Sequence, residues 1–337
     1  MNIVIIKLGA LGDVMRTTPI AEAIKKKYPE SKITWITKEN ALELLEGNPH
    51  IDKALFFPLQ KEIELDRFDL LYNFDIDKEA ALLASEIKAD KKYGFYLEGD
   101  YPVAFNPGAE YYLNTLFDDN LKKNNRKTYQ EMMFDTAELS YNKEQPLIYL
   151  AEKDIEYASS FVRINNIDTE KLIGLHMGAG PRWPSKAWSK ERIKEFIRKS
   201  KEKGYNILLF GGPDEKDKIF HLVNELKRDN LIIYHNNPNN SIKEFASLVN
   251  LCQKMVCSDS FSLHISLALN KPTVGLFFCT TPYEVEDYGL LKKIISPLYD
   301  VFFPEMQNKY SEELVNSITV DKALEALESK ARCATTA

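Results

Sequence analysis

Near the start of the chain, LGALGD sets two glycines, Gly9 and Gly12, just ahead of a carboxylate, Asp13. Glycines let a backbone approach a ligand closely. A strand-to-helix loop of this kind more often holds phosphate than carries an acid. The stretch is neither GxGxxG nor a loop ending in GK[ST], so it matches neither the dinucleotide fingerprint nor the P-loop. Two readings of Asp13 stand side by side. It can be a helix N-cap, accepting backbone N–H groups, or a general base for an acceptor hydroxyl. Pro19 bears on the choice, because it should start or kink the long helix and leave Asp13 in a short turn before it.

The second half carries complementary chemistry. In HMGAGPRWPSKAWSKERIKEF, a Gly-rich loop with Gly178, Gly180, Arg182 and Lys186 leads into a helix at Ser189. Backbone N–H groups, two cations and a helix N-terminus suit a diphosphate. The alternative is a solvent loop anchored by Trp183 and Trp188. In VCSDSFSLHISLAL, Asp259 and Ser260 open another helix. There the acid suits a sugar hydroxyl and Ser260 a phosphate, or both simply cap, with His264 as a packed helix residue. FGGPDE puts Gly211 and Gly212 at a third turn of the same kind. Asp75 and Asp77 form a D-x-D, for which capping and solvation ahead of a helix are favoured over a metal site. Cys252, Cys257, Cys279 and Cys333 fit neither a zinc site nor a disulfide framework.

These motifs need strands to position them. NIVIIK, KITWIT, DLLYNF and KKYGF read as strands in the first half, and KLIGLHM, YNILLFG, NLIIYH, KMVCSD and PTVGLF in the second, with amphipathic helices between. Such alternation implies right-handed crossovers and a doubly wound parallel sheet in each half. Ligands then bind beyond the carboxyl ends of the strands, so the site is expected in a cleft between two domains. The rhythm stops from Tyr96 to Lys127, which reads as a long functional loop or lid carrying the basic run KKNNRK. The 337 residues, 44% hydrophobic with net charge −6, fit two soluble domains and give no whole-protein bias toward nucleic acid. No apolar run is long enough to span a membrane and no signal-peptide pattern opens the chain, so a cytoplasmic location is expected.

Taken in order, IVIIKLGALGDVMRTTPIAEAIKKKYP, ITWIT, LLEGNPHID, HMGAGPRWPSKAWSKER, FGGPDEKD and CSDSFSLHISLALNKPTVGLF resemble glycosyltransferase family 9, the ADP-heptose:lipopolysaccharide heptosyltransferases. The resemblance covers nearly the whole chain except 96–127. It implies a GT-B fold of two Rossmann-like domains facing a central cleft. The expected division is an acceptor-binding domain at 1–160, a nucleotide-sugar-binding domain at 161–310, and a closing helix and tail at 311–337 that pack back on the first domain. It implies inverting heptose transfer with no required metal or cofactor.

Residue by residue, the resemblance makes Asp13 the general base, Lys186 the cation on the leaving diphosphate, Asp259 the sugar-contacting acid and Ser260 a phosphate binder. Gly178, Gly180, Arg182, Gly211 and Gly212 complete the donor side, and Lys7, Gly12 and His264 support it. Phe261 stands where the family usually has Gly, which removes a small residue beside the phosphate and bears on which donor is used. The acceptor is expected to be lipid-linked or saccharide. Lys122, Lys123, Arg126 and Lys127 would face it or an anionic inner-membrane surface, giving peripheral association. Two other functions compete. A GT-B-like nucleotide-sugar epimerase would need further acids and a His in the cleft, and a non-catalytic nucleotide-sugar-binding protein would have no use for Asp13.

Overall fold

A computed structural model describes residues 1–59, 67–178, 180 and 182–329; Cys333 and the rest of the tail lie outside that set. The chain forms two compact units, Met1–Tyr149 with Tyr283–Glu286, and Leu150–Pro282 with Asp287 onward. The division precedes residue 160 because the helix Glu152–Asn165 packs on the helix Ile242–Leu251 of the second unit.

In the first unit, β1 (Asn2–Ile6), β2 (Lys32–Lys38), β3 (Lys53–Phe57), β4 (Phe68–Asn73), β5 (Ala89–Glu98) and β6 (Tyr101–Ala104) form one sheet in the order β3-β2-β1-β4-β5-β6. All pairings are parallel except β5 with β6. The second sheet contains β7 (Leu172–His176), β8 (Asn206–Phe210), β9 (Tyr234–His235), β10 (Lys254–Ser258), β11 (Thr273–Phe277) and β12 (Leu291–Ile295), in the order β12-β11-β10-β7-β8-β9. Its pairings are all parallel. Strand order therefore reverses between β1 and β4 in one sheet and between β7 and β10 in the other. The loops leaving two such neighbours diverge to opposite faces and open a crevice.

Central strands are recognisable because helices cover both faces. Ile3, Val4, Ile5 and Ile6 of β1 are all fully buried, so the run is continuously apolar. The edge strands β3 and β12 read KALFF and LKKII, with charged or partly exposed positions, and were not anticipated. NLIIYH contributes only Tyr234 and His235 to a strand.

Three expectations change. First, 96–127 is no structureless loop. It continues β5, turns into β6, and forms the helices Pro107–Phe117 and Asp119–Asn124, the second capped by Asp118 accepting from Asn120 and Leu121. Second, the N-cap of the helix Leu11–Thr17 is Ala10, not Asp13, which sits in its first turn; the next helix, Pro19–Lys27, does begin at the proline. Third, the closing segment belongs to the second unit. Leu314, Ile318, Val320, Ala323, Leu324 and Leu327 join its core with Ile193, Phe196 and Val274; 330–337 lie outside the described residues.

Candidate functional site

In the first unit the switch point is built around a buried ion pair. Lys7, just past β1, is 2% exposed and donates to Asp75 Oδ1 at 2.5 Å and to the Phe74 carbonyl at 2.8 Å. Burial opposes the ammonium, but Asp75 overrides it, with Tyr129 and Asp13 adding to the effect, and holds Lys7 well above its ordinary pKa. The other oxygen of Asp75 accepts from Leu8 N and, at 2.9 Å, from Gly9 N. Asp75 is thus neither a helix cap nor solvated. It fixes the start of the LGALG loop, and Lys7 is already neutralised within its own unit. Asp77 alone precedes the helix Lys78–Glu86, without a side-chain cap bond.

Asp13 stands on the next turn. Its Oδ1 accepts from Arg16 Nε at 3.2 Å and Nη2 at 2.8 Å. The Arg16 guanidinium lies over the Tyr129 ring, 3.7 Å from its centroid, and the Tyr129 hydroxyl shares a 2.9 Å hydrogen bond with Thr17 Oγ1. Burial works against the Arg16 charge, but Asp13, Tyr129 and Glu284 raise its pKa, so it remains a cation. A Cβ placed on Gly9 would sit 3.4 Å from Asp13 Oδ2 and 3.2 Å from Asp75 Oδ1, so the glycine makes room for both carboxylates. Gly12 is half-buried within the helix. Tyr112, from the 96–127 segment, packs edge-on to Tyr129 with centroids 6.0 Å apart. Burial pushes its phenol upward, and Lys7, Asp13 and Arg16 are all close enough to act on it. The segment expected to be a lid therefore supplies a ring packed beside the Asp13–Arg16 pair.

The basic run has local partners. Arg126 donates to the Lys123 and Asn125 carbonyls and lies over the Tyr283 ring, 4.1 Å from its centroid. Lys127 pairs with Asp135 at 2.7 Å. Lys123 is exposed and Lys122 half-buried.

In the second unit, Lys186 and Asp259 meet at 3.0 Å, with side chains 13% and 16% exposed. They come from the loops after β7 and β10, the two sides of that sheet's switch point. Ser260 is the N-cap of the helix Phe261–Ala268 but makes no side-chain cap bond; its hydroxyl lies 2.9 Å from that of Ser262 and 3.2 Å from the Ser258 carbonyl. Phe261, half-buried, tilts against Phe245 with centroids 6.1 Å apart, and His264 is buried in the same helix. Arg182 is exposed and lies over the Trp183 ring at 4.8 Å. Trp188 is a buried anchor, its Nε1 donating to the Ile318 carbonyl at 2.8 Å.

The glycines divide into two kinds. A Cβ on Gly178 would lie 2.2 Å from Glu215 Oε1, and one on Gly211 would lie 2.8 Å from Glu215 Cβ. Both leave space for the buried Glu215, whose Oε2 accepts from Gly212 N at 2.9 Å. Asn236 holds the same turn, accepting from Gly211 N at 3.0 Å and donating to its carbonyl at 3.1 Å. A Cβ on Gly180 would meet no atom of the described residues within 4 Å, but its φ of +71° favours glycine. His176, at the end of β7, has a pKa below its ordinary 6.5 because it is buried, despite the nearby Glu215 carboxylate.

Sequence reading took Asp75 for a capping or solvated acid of a D-x-D and missed Arg16, Tyr129 and Glu215. Only Arg16 left a local signal, its i,i+3 spacing from Asp13. Cys252, Cys257 and Cys279 are buried free thiols, and burial raises Cys279 to about 11 beside Lys186 and Asp259.

With this geometry established, comparison with known proteins is informative. The family model described as Glycosyltransferase family 9 (heptosyltransferase) matches residues 56–311. The lipopolysaccharide core heptosyltransferase OpsX of Haemophilus influenzae is 22% identical over 329 residues, spanning 93% of this chain and 89% of that protein. A family 9 glycosyl transferase from Veillonella parvula superposes with a TM-score of 0.76 at 20% identity, covering 97% of this chain and 96% of that one. The ADP-heptose lps heptosyltransferase II of E. coli superposes with a TM-score of 0.68 at 17% identity, covering 97% of each chain. The fold is GT-B, with two Rossmann-like units.

Proposed function

The chain belongs to glycosyltransferase family 9, and on that premise we propose that it moves a heptose from ADP-heptose to a lipopolysaccharide-core acceptor with inversion at the anomeric carbon. The observation that carries the reading is the pair of switch points. One presents an aspartate clamped by an arginine, the other a Lys–Asp pair beside a helix N-terminus. Asp13 takes the proton of an acceptor hydroxyl as that oxygen attacks the anomeric carbon opposite the nucleotide. The C–O bond to the diphosphate breaks, and its electron pair leaves with the diphosphate. Lys186 offsets that charge, aided by Arg182 and the N–H groups opening the helix at Phe261. Asp259, paired with Lys186 in the unliganded chain, turns to a sugar hydroxyl when the diphosphate takes the lysine. The ionised Asp13 also stabilises the oxocarbenium-like transition state. No metal is required in this scheme.

No helix among the described residues is long and apolar enough to cross a membrane. A lipid-linked acceptor would be met at a membrane surface, faced by the basic run of Lys122, Lys123, Arg126 and Lys127. Calorimetric titration with ADP-heptose and ADP, against UDP-glucose as control, tests the donor. Saturable binding of the ADP ligands alone supports the reading, and preference for the uridine nucleotide refutes it.

A further inference from the structure

We infer that Arg16 is the positioning residue of the base, pinning one carboxylate oxygen of Asp13 so that the other, Oδ2, receives the acceptor proton; the inference rests on Asp13 acting as base. Nε and Nη2 of Arg16 both donate to Oδ1. Two donors of one rigid guanidinium hold that oxygen in place more firmly than a single flexible donor would, and so restrict the carboxylate's last torsion. Oδ2 is turned toward Gly9, where the missing side chain leaves a gap that a Cβ would narrow to 3.4 Å. The backbone under that gap is itself fixed, because Asp75 accepts from the Leu8 and Gly9 N–H groups.

The fork is held in turn. The Arg16 guanidinium lies over the Tyr129 ring, and Tyr129 is tied to the helix of Asp13 through Thr17 Oγ1 and to Glu284 through a 2.9 Å bond from its N–H to the Glu284 carbonyl. Glu284 also exerts its charge on Arg16. Among the described residues, the charged and titratable groups facing the Asp13–Arg16 pair include Lys7, Tyr112, Tyr129 and Glu284. Lys7 is paired with Asp75, and Arg16 bonds Asp13 directly. An arginine here has a cost, since an adjacent cation makes a carboxylate a weaker base. The structure accepts that cost for a fixed direction of approach. During transfer the arginine stays protonated, and the proton passes from the acceptor hydroxyl to Oδ2.

The test compares Arg16→Lys, Arg16→Gln and Arg16→Ala in the full chain. Misdirecting a reacting group by about 1 Å costs on the order of 10²-fold. Arg16→Gln should therefore lower kcat roughly 10- to 100-fold, with KM for the acceptor and calorimetric affinity for ADP within about twofold. Arg16→Lys, which keeps the charge but loses the fork, should recover only part of the loss. Millimolar guanidinium should restore Arg16→Ala but not Asp13→Asn. A second readout needs no substrate: the Asp13 carboxyl carbon, followed by 13C NMR and assigned with Asp13→Asn, should titrate at higher pH in Arg16→Gln than in the parent. An unmoved titration overturns the inference. So does a rise in acceptor KM at unchanged kcat, which would make Arg16 an acceptor-binding group. If the parent fails to transfer heptose at all, the functional reading falls, while the titration still decides whether Arg16 controls Asp13.

Discussion

Replacing Asp75 by Asn should be among the most damaging single changes to the first unit, although Asp75 touches no substrate in the mechanism above. The perturbation is nearly isosteric. Asn still accepts from the Leu8 and Gly9 N–H groups but leaves Lys7, 2% exposed and 2.5 Å away, without its counter-charge. Breaking a buried pair on one side costs about 3–5 kcal/mol, because the remaining charge stays desolvated. For a unit of this size each kcal/mol moves the melting temperature by about 2–4 °C, so the loss should be roughly 6–20 °C. The double variant Lys7→Met/Asp75→Asn removes both charges and keeps the loop's acceptor, so it should melt above the single variant. Lys7 also fixes the pH window. Its pKa is raised on folding, so its contribution is complete below the unfolded value near 10.4 and is lost only as pH rises through the higher folded value. The Asp75→Asn deficit should accordingly be as large at pH 8 as at pH 7. Calorimetric melting of the three proteins is the assay. A single variant within about 1 °C of the parent, or a double variant no more stable than the single, would refute the reasoning.

Other consequences are simpler to measure. Lys186→Ala removes a charge-assisted bond worth about 1.5–3 kcal/mol and should cost roughly 10- to 150-fold in kcat/KM, with a matching loss of ADP affinity by calorimetry. Unchanged ADP affinity would move the diphosphate elsewhere. Gly178→Ala should displace Glu215 and weaken ADP binding, whereas Gly180→Ala meets no atom of the described residues and should cost only about 1–2 kcal/mol of stability through its left-handed backbone. Equal ADP affinities for the two variants would contradict that distinction. Changing Lys122, Lys123, Arg126 and Lys127 to Gln should weaken sedimentation with anionic vesicles, since each removed cation near an anionic surface forfeits about 1 kcal/mol. Vesicle binding that survives the change at low salt would remove this segment from the membrane side.

What the sequence disclosed follows from the range of the forces involved. β1 and β7 were readable because burial on both faces writes an apolar run into consecutive residues, and the break at Pro19 was readable because proline acts on its own turn. Asp13, Lys186 and Asp259 were legible as residue types at strand ends. Their partners were not. Asp75 is 68 residues from Lys7, and Tyr129 is 112 from Thr17, so only the sheet order and the packing of the helix Tyr129–Thr136 on the helix Leu11–Thr17 bring them together. Gly178 was recognised as special, but its reason, the buried Glu215, lies across a crossover, whereas Gly211 and Glu215 share one turn. The 96–127 segment was misread because its two short helices lack a strong apolar stripe: the second buries no residue and the first only Ala109 and Thr115.

The central claim is that Asp13 drives heptose transfer from ADP-heptose. The direct measurement is mass spectrometry of a heptose-deficient lipopolysaccharide acceptor incubated with ADP-heptose and either the parent chain or Asp13→Asn. The parent should add one heptose mass. Asp13→Asn should do so roughly 10²–10⁴-fold more slowly, the range for removal of a general base, while binding ADP as tightly as the parent. No added heptose with the parent, or transfer by Asp13→Asn at the parent's rate, would contradict the account.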